Sequence, residues 1–600
     1  MAGDLYDKIV ELAKRRGYFW PSYEIYGGVA GFYDLGPLGA ELKRRIIERW
    51  RRSFILEHQE NVVEIETPIV GPYKVYEASG HLESFTDPIV ECLKCGRKFR
   101  ADHLIEEVTG RKVEGLKPQD LDKIIEEEGI RCPVCGGPLS KVKLFNLLFK
   151  TQIGPYEGNT GFIRPELAQG MFTAFKRVVE SLRGKLPLGI AQIGRVGRNE
   201  ISPRQGMIRL REFTIAEMEY FFDPQDESSC PWFDRLSDME ISIVTCEEKR
   251  SGLAPKRYSL REAVERGVII HECLAYWMGV AQKFVESLGI PSDEIVFEEK
   301  CPEERAHYAT QTFDQLVKTS RWGWVEVSGH SYRGDFDLTR HMRYSGADLT
   351  VFKPYPKPII VKKKKIIINK SIIGRIFKSE TPHVIGLINK LKPEDVEELI
   401  SKGEKTIKIG NYEVPLEAIK IVEVEEKVSG RKVIPHVVEP SFGIERLLYV
   451  TLEHAYKERE GRVILSLPRD LAPYHAVVLP LVENDEELIN KARELFETLK
   501  SEGFRVYMDT SGSIGRRYAR ADEIGVPAAF TVDYETLEDG TITLRDRDTW
   551  KQVRLPMKKA PEALRLFIYK ATPLEELGTP LQEGSKGGED DPRQRGREEE

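Results

Sequence analysis

Long apolar runs are absent from this 600-residue chain: no stretch approaches the roughly 18 apolar residues that a membrane helix needs. The first residues, MAGDLYDKIVELAKRRG, lack the apolar centre of a secretory signal and are typical of a short amphipathic helix. At this length, two to four domains are expected. These features predict a cytoplasmic protein with several domains and no membrane association.

Cysteine is scarce, with eight residues in the chain. Four of them form two CxxC pairs, and the others (Cys230, Cys246, Cys273 and Cys301) are scattered, which argues against a disulfide framework. A positive excess is also lacking, because the net charge is −7. This total excludes a protein coated in positive charge, but a local basic surface could still bind nucleic acid.

The two CxxC pairs, Cys92/Cys95 and Cys132/Cys135, are separated by 36 residues, and a glycine follows each pair. Four thiolates at this spacing suit tetrahedral Zn²⁺, and KPQDLDKIIEEEGI can form a helix between the pairs. A redox role would need only one pair near a βαβ unit. We therefore expect a structural zinc site in an insert at about 92–135.

A strongly charged segment, GRVGRNEISPRQGMIRLREFTIAEMEYFF, covers residues 194–222 with five arginines and four glutamates. Its residues alternate as in a β-hairpin, so Arg198 and Glu200 should share one strand face. On the returning strand the predicted face carries Arg209, Arg211, Phe213, Ile215, Glu217 and Glu219. Such a face could bind nucleotide phosphates through arginine, or could be an exposed face with cross-strand salt bridges.

Two further segments carry unusual patterns. Leu38, Leu42, Ile46, Trp50 and Phe54 form an apolar helical stripe, which leads into the strand VVEIETPIV and its Pro68. EPSFGIERLL places Glu439, Ser441 and Arg446 around a glycine that opens a helix. Taken alone, this second segment would be interpreted as a helix N-cap with a surface arginine.

Together, the helix and strand ending at Pro68, the charged hairpin and the GIER turn resemble the three signature motifs of class II aminoacyl-tRNA synthetases. HIGH-like and KMSKS-like segments are absent, as expected for that class. The segments FIRPELAQG, RNEISPR, IRLREFTIAEMEYF, RGDFDLTRH, EPSFG and DTSGSIGRRYARADEIG further resemble glycyl-tRNA synthetases of the archaeal and eukaryotic kind. The resemblance covers most of residues 1–570 and is weaker through 353–430.

The resemblance implies an α+β protein with a class II catalytic domain, built on an antiparallel sheet, over residues 1–472. Two insertions interrupt it, the zinc-knuckle segment at about 92–135 and a Lys-rich segment at about 353–430. Alternating strands and helices over 473–575 predict an anticodon-binding α/β domain with a mostly parallel sheet. An Asp539-Gly540 turn should join two of its strands. The tail 578–600 has almost no apolar residues and should be disordered.

The resemblance also implies an ATP site on one face of the charged hairpin. Arg198 and Arg446 would be catalytic, with Arg198 at the α-phosphate and Phe213 stacked on adenine. Glu326 and Glu439 would lie where Mg²⁺ neutralises the phosphates. The full set implied for ATP is Arg198, Asn199, Glu200, Arg209, Leu210, Phe213, Glu326, Val327, Glu439 and Arg446.

Glycine has no side chain, so a selective site must bind its ammonium group and exclude amino acids with a Cβ. The residues implied for this site are Glu166, Glu217, Glu439, Pro440 and Ser441. Without the resemblance, Glu166 would be interpreted as a carboxylate at a helix start after Pro165.

The expected reaction is ATP-dependent attachment of glycine to tRNA(Gly) through a glycyl-adenylate, in a homodimer. In the C-terminal domain, GSIGRRYAR could bind RNA phosphates through Arg516, Arg517 and Arg520 near Gly512 and Gly515, or could be a solvated basic helix. The lysines at 362–365 are expected to be solvated. Two other functions remain as alternatives: a class II ligase for another small amino acid, and a non-catalytic, synthetase-derived subunit that binds nucleic acid.

Overall fold

The residues that the computed structural model describes are 4–111, 113, 115–155, 158–203, 205–226 and 228–581. They form two compact units, one made of the described residues within 1–349 and 435–600 and the other of residues 350–434. Across these described ranges, no helix combines the length and the apolar character that a membrane crossing requires.

A nine-stranded sheet forms the centre of the first unit. Six of its strand pairings are antiparallel and two are parallel. The predicted α+β catalytic domain with a largely antiparallel sheet is confirmed. In spatial order the strands are Lys256–Ser259, Glu240–Val244, Ile295–Glu299, Gln311–Thr319, Gly323–Gly334, His436–Gly443, Glu212–Phe222, Leu188–Gly197 and Val62–Glu64.

The charged hairpin, made of strands Leu188–Gly197 and Glu212–Phe222, shows how the two sheet faces differ. Side chains alternate between faces along a strand. The even-numbered positions of the second strand enter the main hydrophobic core: Ala216, Met218, Tyr220 and Phe222. The odd-numbered positions Phe213, Ile215 and Glu217 line a cleft on the other face. The alternation predicted from the sequence is therefore correct for this strand.

The helices that contribute to the main hydrophobic core include Pro37–Phe54, Glu272–Ser287 and Ile444–Ala455. The predicted apolar stripe of the first helix is confirmed, since all five of its residues are buried in this core. The other helices of the catalytic part are Leu5–Arg16, Tyr73–Ala78, His81–Ser84, Ala168–Ser181, Cys246–Arg250, Leu260–Glu265 and Phe336–Ser345. Short strands lie at Phe19–Pro21, Tyr33–Leu35, Val70–Pro72, Phe149–Gln152, Thr160–Ile163, Tyr456–Arg459 and Arg462–Leu465.

The cysteine insert, residues 86–146, contains the two CxxC pairs and has its own small hydrophobic core. Its strands are Thr86–Glu91, Lys98–Arg100 and Lys143–Asn146, and its helices are Ala101–Thr109 and Pro118–Glu127. The second helix confirms the helix predicted between the pairs.

The second unit, residues 350–434, is a long antiparallel ribbon of strands Val351–Ile368 and Ile419–Val433 with three helices and a small hairpin. The helices are Lys370–Phe377, Thr381–Ile388 and Pro393–Ser401, and the hairpin strands are Thr406–Ile409 and Tyr412–Pro415. The predicted solvated lysine run lies on the ribbon and forms ion pairs, with Lys363 3.3 Å from Glu426 and Lys364 paired with Glu397. Its charge is therefore partly neutralised within the unit.

The C-terminal domain has a six-stranded sheet and separate hydrophobic clusters. A mostly parallel sheet is wrong here, because two of its pairings are parallel and three are antiparallel. Its strands, in spatial order, are Val506–Met508, Ala476–Pro480, Ala528–Val532, Thr541–Asp546, Gln552–Pro556 and Thr579–Pro580. Its helices are Glu486–Ser501, Ile514–Glu523, Tyr534–Asp539 and Ala560–Tyr569.

Two sequence predictions at the end of the chain need correction. Asp539-Gly540 ends the helix Tyr534–Asp539, with Gly540 in the left-handed region at φ 74°, and does not join two strands. The predicted disordered tail from Gly578 begins too early, because Pro580 pairs with Val553 at the sheet edge. Residues 582–600 lie outside the described residues.

The scattered cysteines also differ from expectation, because Cys246 and Cys301 form a disulfide. They are 55 residues apart in sequence, and their Cα atoms lie 5.0 Å apart. The two adjoining strands, Glu240–Val244 and Ile295–Glu299, are parallel neighbours in the central sheet. This long-range pairing brings their carboxyl ends together, which the spacing of the cysteines could not indicate.

Candidate active site

A cleft of about 260 Å³ opens on the face of the central sheet opposite the main hydrophobic core. Twelve of the fourteen residues predicted for ATP and glycine line it. They are Glu166, Arg198, Glu200, Arg209, Leu210, Phe213, Glu217, Glu326, Val327, Glu439, Ser441 and Arg446. These residues come from three strands of the sheet, from loops and from the helix Ile444–Ala455, so the fold joins segments almost 300 positions apart.

Asn199 and Pro440 are the two predicted residues that do not line the cleft. The Asn199 backbone N–H donates to the carbonyl of Leu147 at 2.7 Å, so its main chain is used in holding a neighbouring segment. Pro440 lies between Glu439 and Ser441 on one strand, and alternation turns it to the opposite face.

Arg198 lies just after the strand Leu188–Gly197 and not within it, because the regular strand ends at Gly197. Its backbone N–H still donates to the carbonyl of Arg211 at 2.8 Å, which continues the hairpin. Its guanidinium lies 5.3 Å from the centre of the Phe213 ring, and its Nε donates to the carbonyl of Pro165 at 3.1 Å. The side chain is thus held between an aromatic ring and the segment that carries Glu166.

Two further arginines occupy the cleft. Arg209 lies with its Nε 3.8 Å from a carboxylate oxygen of Glu200. Arg446 donates to the carbonyl of Ile208 at 2.8 Å and pairs with Glu326 at 3.2 Å. Arg211 was expected on the same face, but it donates to the backbone carbonyls of Glu200 and Ala30 and does not line the cleft. The reason is that the regular strand begins only at Glu212, so strict alternation does not extend back to Arg211.

Glu326 and Glu439, both predicted to lie where Mg²⁺ neutralises the phosphates, are far apart in the strand register. Glu439 lies opposite Ser331, and Glu326 precedes Ser331 by five residues on the same strand. At roughly 3.4 Å per residue, the two positions are about 17 Å apart. Asp314 is a carboxyl group closer to Glu326 than Glu439 is, and it lines the same cleft. Burial together with the charge of Glu326 raises the pKa of Asp314 to about 7.

The opposite end of the cleft contains buried carboxylates. One oxygen of Glu217 accepts from the backbone N–H of Leu167 at 2.7 Å. Glu166 accepts from Gln169 at 3.0 Å and lies 3.4 Å from His81. Burial alone would raise the pKa of Glu166, but His81 and Arg333 more than offset it, so the pKa lies below its ordinary value.

Arg333 and Tyr308 belong to this end and were not predicted. Arg333 is fully buried and donates to Glu439 at 2.9 Å and to Asp337 at 2.8 Å. The Tyr308 ring stacks 3.6 Å from its guanidinium. Arg333 and Asp337 are four residues apart in RGDFDLTRH, a spacing that indicates an ion pair but not its position in the fold. The segment RGDFDLTRH is part of the family resemblance, but the resemblance assigned no role to Arg333 or Asp337.

Glu219 lies on the same strand as Glu217 and extends the carboxylate cluster inward. Acceptor oxygens of Glu217, Glu219 and Glu439 all lie within 4.8 Å of one another. Both oxygens of Glu219 are buried without a hydrogen-bond partner among the described residues. Burial and the neighbouring Glu439 raise the pKa of Glu219 well above its ordinary value, which favours its uncharged acid form.

Comparisons with known proteins agree with this architecture. Residues 150–455 match the tRNA synthetase class II core domain (G, H, P, S and T), and residues 475–566 match an anticodon binding domain. A glycine–tRNA ligase of Aeropyrum pernix is 64% identical over 583 residues, which cover 97% of this chain and all of the relative. This chain belongs to the glycine–tRNA ligase family.

More distant members of the glycine–tRNA ligase family are similar over nearly the same length. The ligase of Pyrococcus horikoshii is 47% identical over 571 residues, covering 94% of this chain and 99% of the relative. That of Methanocaldococcus jannaschii is 45% identical over 576 residues, with the same coverage. The class II recognition made from the sequence motifs is confirmed.

In this member of the glycine–tRNA ligase family, the four cysteines of the insert are close enough to share one metal ion. Cys92 Sγ lies 3.5 Å from Cys135 Sγ, and Cys95 Sγ lies 3.8 Å from Cys132 Sγ. Zn–S bonds of about 2.3 Å in a tetrahedron place sulfurs roughly 3.8 Å apart. A Cβ at Gly137 would come within 2.9 Å of Cys92 Sγ, so only glycine fits beside the cluster. The donor set and its spacing fit zinc.

The predicted RNA-contacting arginines of the C-terminal domain separate into different environments. Arg517 is buried and donates to the carbonyl of Leu481 at 3.0 Å, so it has a structural role. Arg520 pairs with Asp509 at 2.7 Å. Arg516 is exposed in the first turn of the helix Ile514–Glu523, where it can face a phosphate. Helical spacing alone could not distinguish these three positions.

Proposed function

We propose that this protein attaches glycine to tRNA(Gly) in an ATP-dependent reaction that passes through glycyl-adenylate, a step of protein biosynthesis. One observation carries the proposal: a single cleft joins a set of arginines and an aromatic ring to a buried cluster of carboxylates. The first end suits the phosphates and base of ATP, and the second suits an ammonium group.

In the first step, an oxygen of the glycine carboxylate attacks the α-phosphorus of ATP, and the bond to pyrophosphate breaks. Arg198 would stabilise the negative charge that develops at the α-phosphate. Its position between Phe213 and Pro165 supports this role, because the α-phosphate must lie between adenosine and glycine. Arg209 and Arg446 would bind the outer phosphates, and Glu200 would accept from the adenine amine.

The carboxylate end would hold the glycine ammonium with Glu166, Glu217, Glu439 and Ser441. Arg333 neutralises part of the charge on Glu439, and Tyr308 covers Arg333. A positioned ammonium places the carboxylate of glycine toward Arg198. In the second step, a terminal ribose hydroxyl of tRNA attacks the activated carbonyl, and AMP leaves.

Magnesium, when bound with ATP, would supply positive charge that neutralises the triphosphate. Glu326 is a proposed ligand, and Asp314 is a better second candidate than Glu439 because it lies in the same part of the cleft. Carboxylate oxygens are the donors that Mg²⁺ prefers. Glu439 is then left for the glycine ammonium.

For tRNA, we propose that the C-terminal domain binds the anticodon arm and that Arg516 contributes a phosphate contact. Since the product serves translation, we place the reaction in the cytoplasm.

Amino-acid-dependent ATP–pyrophosphate exchange tests the proposal and its alternatives. Exchange with glycine, and not with serine, threonine or proline, is the expected result. Preferred exchange with another of these amino acids would favour a different class II ligase. Absence of exchange with all four, in protein that binds tRNA, would favour a non-catalytic subunit.

For the metal, we propose one structural zinc per chain in the cysteine insert. Metal analysis of the purified protein should find about one zinc, which the variant Cys92→Ser/Cys95→Ser should lose. Cys230→Ser, outside the cluster, is the matched control and should keep its zinc. A fully folded wild-type protein without metal would contradict the proposal.

We also propose a homodimer that buries the loop at 23–29, where four apolar side chains are exposed close together. Ile25 and Tyr26 are 88% and 85% exposed, and Tyr23 and Val29 are exposed as well. Such clusters mark interaction surfaces, and a second copy of this chain is the proposed occupant.

Light scattering on the wild type should give twice the chain mass at working concentration. The double variant Ile25→Asp/Tyr26→Asp should have the mass of a single chain, because each introduced charge would be buried in an apolar interface. Tyr534→Asp, at a residue that is 48% exposed in the C-terminal domain, should leave the dimer intact. A wild-type monomer, or a dimer that persists in the double variant, would contradict the proposed interface.

A further inference from the structure

The cysteine insert contacts the cleft through its first helix, Ala101–Thr109. The ring Nδ1 of His103 on this helix lies 3.4 Å from a terminal nitrogen of Arg209. The insert has its own small hydrophobic core, and this contact connects it to the cleft residues. We infer that His103 is a positioning residue that orients Arg209 toward the outer phosphates of ATP.

Arg209 is held from two sides in this arrangement. The carboxylate of Glu200 approaches its Nε at 3.8 Å, and His103 accepts from its terminal nitrogen. A guanidinium has five N–H donors, so these two contacts leave donors for phosphate oxygens. The two acceptors restrict the guanidinium to one orientation, which reduces the conformational entropy lost when ATP binds.

The chemical character of His103 suits this role. Burial, Arg100 and Arg209 lower its pKa to about 4, so the ring is a neutral acceptor under ordinary conditions. A neutral acceptor orients Arg209 without neutralising it, whereas a carboxylate in the same place would compete with phosphate for the guanidinium. The groups around the ring are Arg100, Asp102 and Arg209.

Neighbouring contacts hold His103 in place. An oxygen of Asp102 accepts from the backbone N–H of His103 at 2.9 Å, and Arg100 binds both Asp102 and Asp87. The helix also packs into the small core that contains Cys92 and Cys132. The insert therefore presents His103 on a supported helix and not on a loose loop.

This inference rests on the proposed role of Arg209 at the outer phosphates. A double-mutant cycle separates the role of His103 from that of Arg209. His103→Ala should raise the KM for ATP about three- to tenfold, as expected for the loss of one hydrogen bond, with the KM for glycine unchanged. In the Arg209→Ala background, His103→Ala should have no further effect on the KM for ATP. If Arg209→Ala alone leaves the KM for ATP unchanged, the proposed role of Arg209 fails first.

Two conservative variants test the neutral-acceptor character. His103→Asn keeps a neutral oxygen near the place of Nδ1 and should stay within about twofold of wild type in the KM for ATP. His103→Asp should weaken ATP binding at least as much as His103→Ala, because its charge would hold Arg209 away from phosphate. The exposed Glu107, changed to Ala on the same helix, is the matched control and should leave both KM values and the melting temperature unchanged.

Three results would overturn the inference. One is an unchanged KM for ATP in His103→Ala while Arg209→Ala has a large effect. Another is an equal rise of both KM values with a lower melting temperature, which indicates a structural role alone. The third is tighter ATP binding in His103→Asp.

Discussion

Arg198→Ala should reduce glycine-dependent ATP–pyrophosphate exchange by on the order of a hundredfold or more, because a charge partner of the transition state is removed. The guanidinium lies between the Phe213 ring and the carbonyl of Pro165, at the junction of the nucleotide and amino-acid ends. A hundredfold loss corresponds to about 2.7 kcal/mol of transition-state stabilisation. The loss should appear mainly in kcat, since the charge develops in the transition state.

Arg195→Ala is the matched control for this experiment. Arg195 lies on the same hairpin strand, is half-exposed and pairs with Glu212 at 2.7 Å without lining the cleft. Its removal should change the exchange rate less than about twofold, because surface ion pairs contribute little. Equal activities of the Arg198 and Arg195 variants would mean that the hairpin arginines are structural.

Glu217→Gln should raise the KM for glycine by roughly ten- to a hundredfold while the KM for ATP changes little. The change keeps the shape, and the amide oxygen can still accept from the backbone N–H of Leu167. It removes the charge that would face the ammonium, and a charge-assisted hydrogen bond contributes about 1.5–3 kcal/mol.

The strand geometry explains why the two KM values should separate. Phe213 and Glu217 are four residues apart on an uninterrupted strand and line the same cleft. At roughly 3.3 Å per residue they are about 13 Å apart, which suits the two ends of a bent adenylate. If both KM values rise together, or only that for ATP, Glu217 belongs to the nucleotide site.

Glu219→Gln is a sensitive control for the charge of Glu217. Glu219 is two residues further along the same strand face, but burial and the neighbouring Glu439 raise its pKa and favour the uncharged acid form. Replacing a neutral acid by a neutral amide should change the KM for glycine less than about threefold. A rise as large as that of Glu217→Gln would show that charge does not distinguish the two positions.

The sequence by itself determined the features that depend on local patterns. Period-two alternation from Phe213 to Glu217 identified one cleft-facing strand side, and period-four spacing from Leu38 to Phe54 identified a buried helix face. The sequence also indicated the cysteine cluster, because the two cysteines of each CxxC pair are only three positions apart. These patterns, with the motif resemblance, were sufficient for the fold class and for a predicted set of fourteen site residues, of which twelve line the cleft.

The tertiary structure decided which distant residues meet, since strand register and crossovers bring together segments that no local period relates. Register separated Glu326 from Glu439 and placed Arg333 beside Glu439. Parallel pairing of two strands brought Cys246 to Cys301, and the packing of the insert brought His103 to Arg209. Side chains with similar local spacing differ in burial and partners, and these depend on the complete fold.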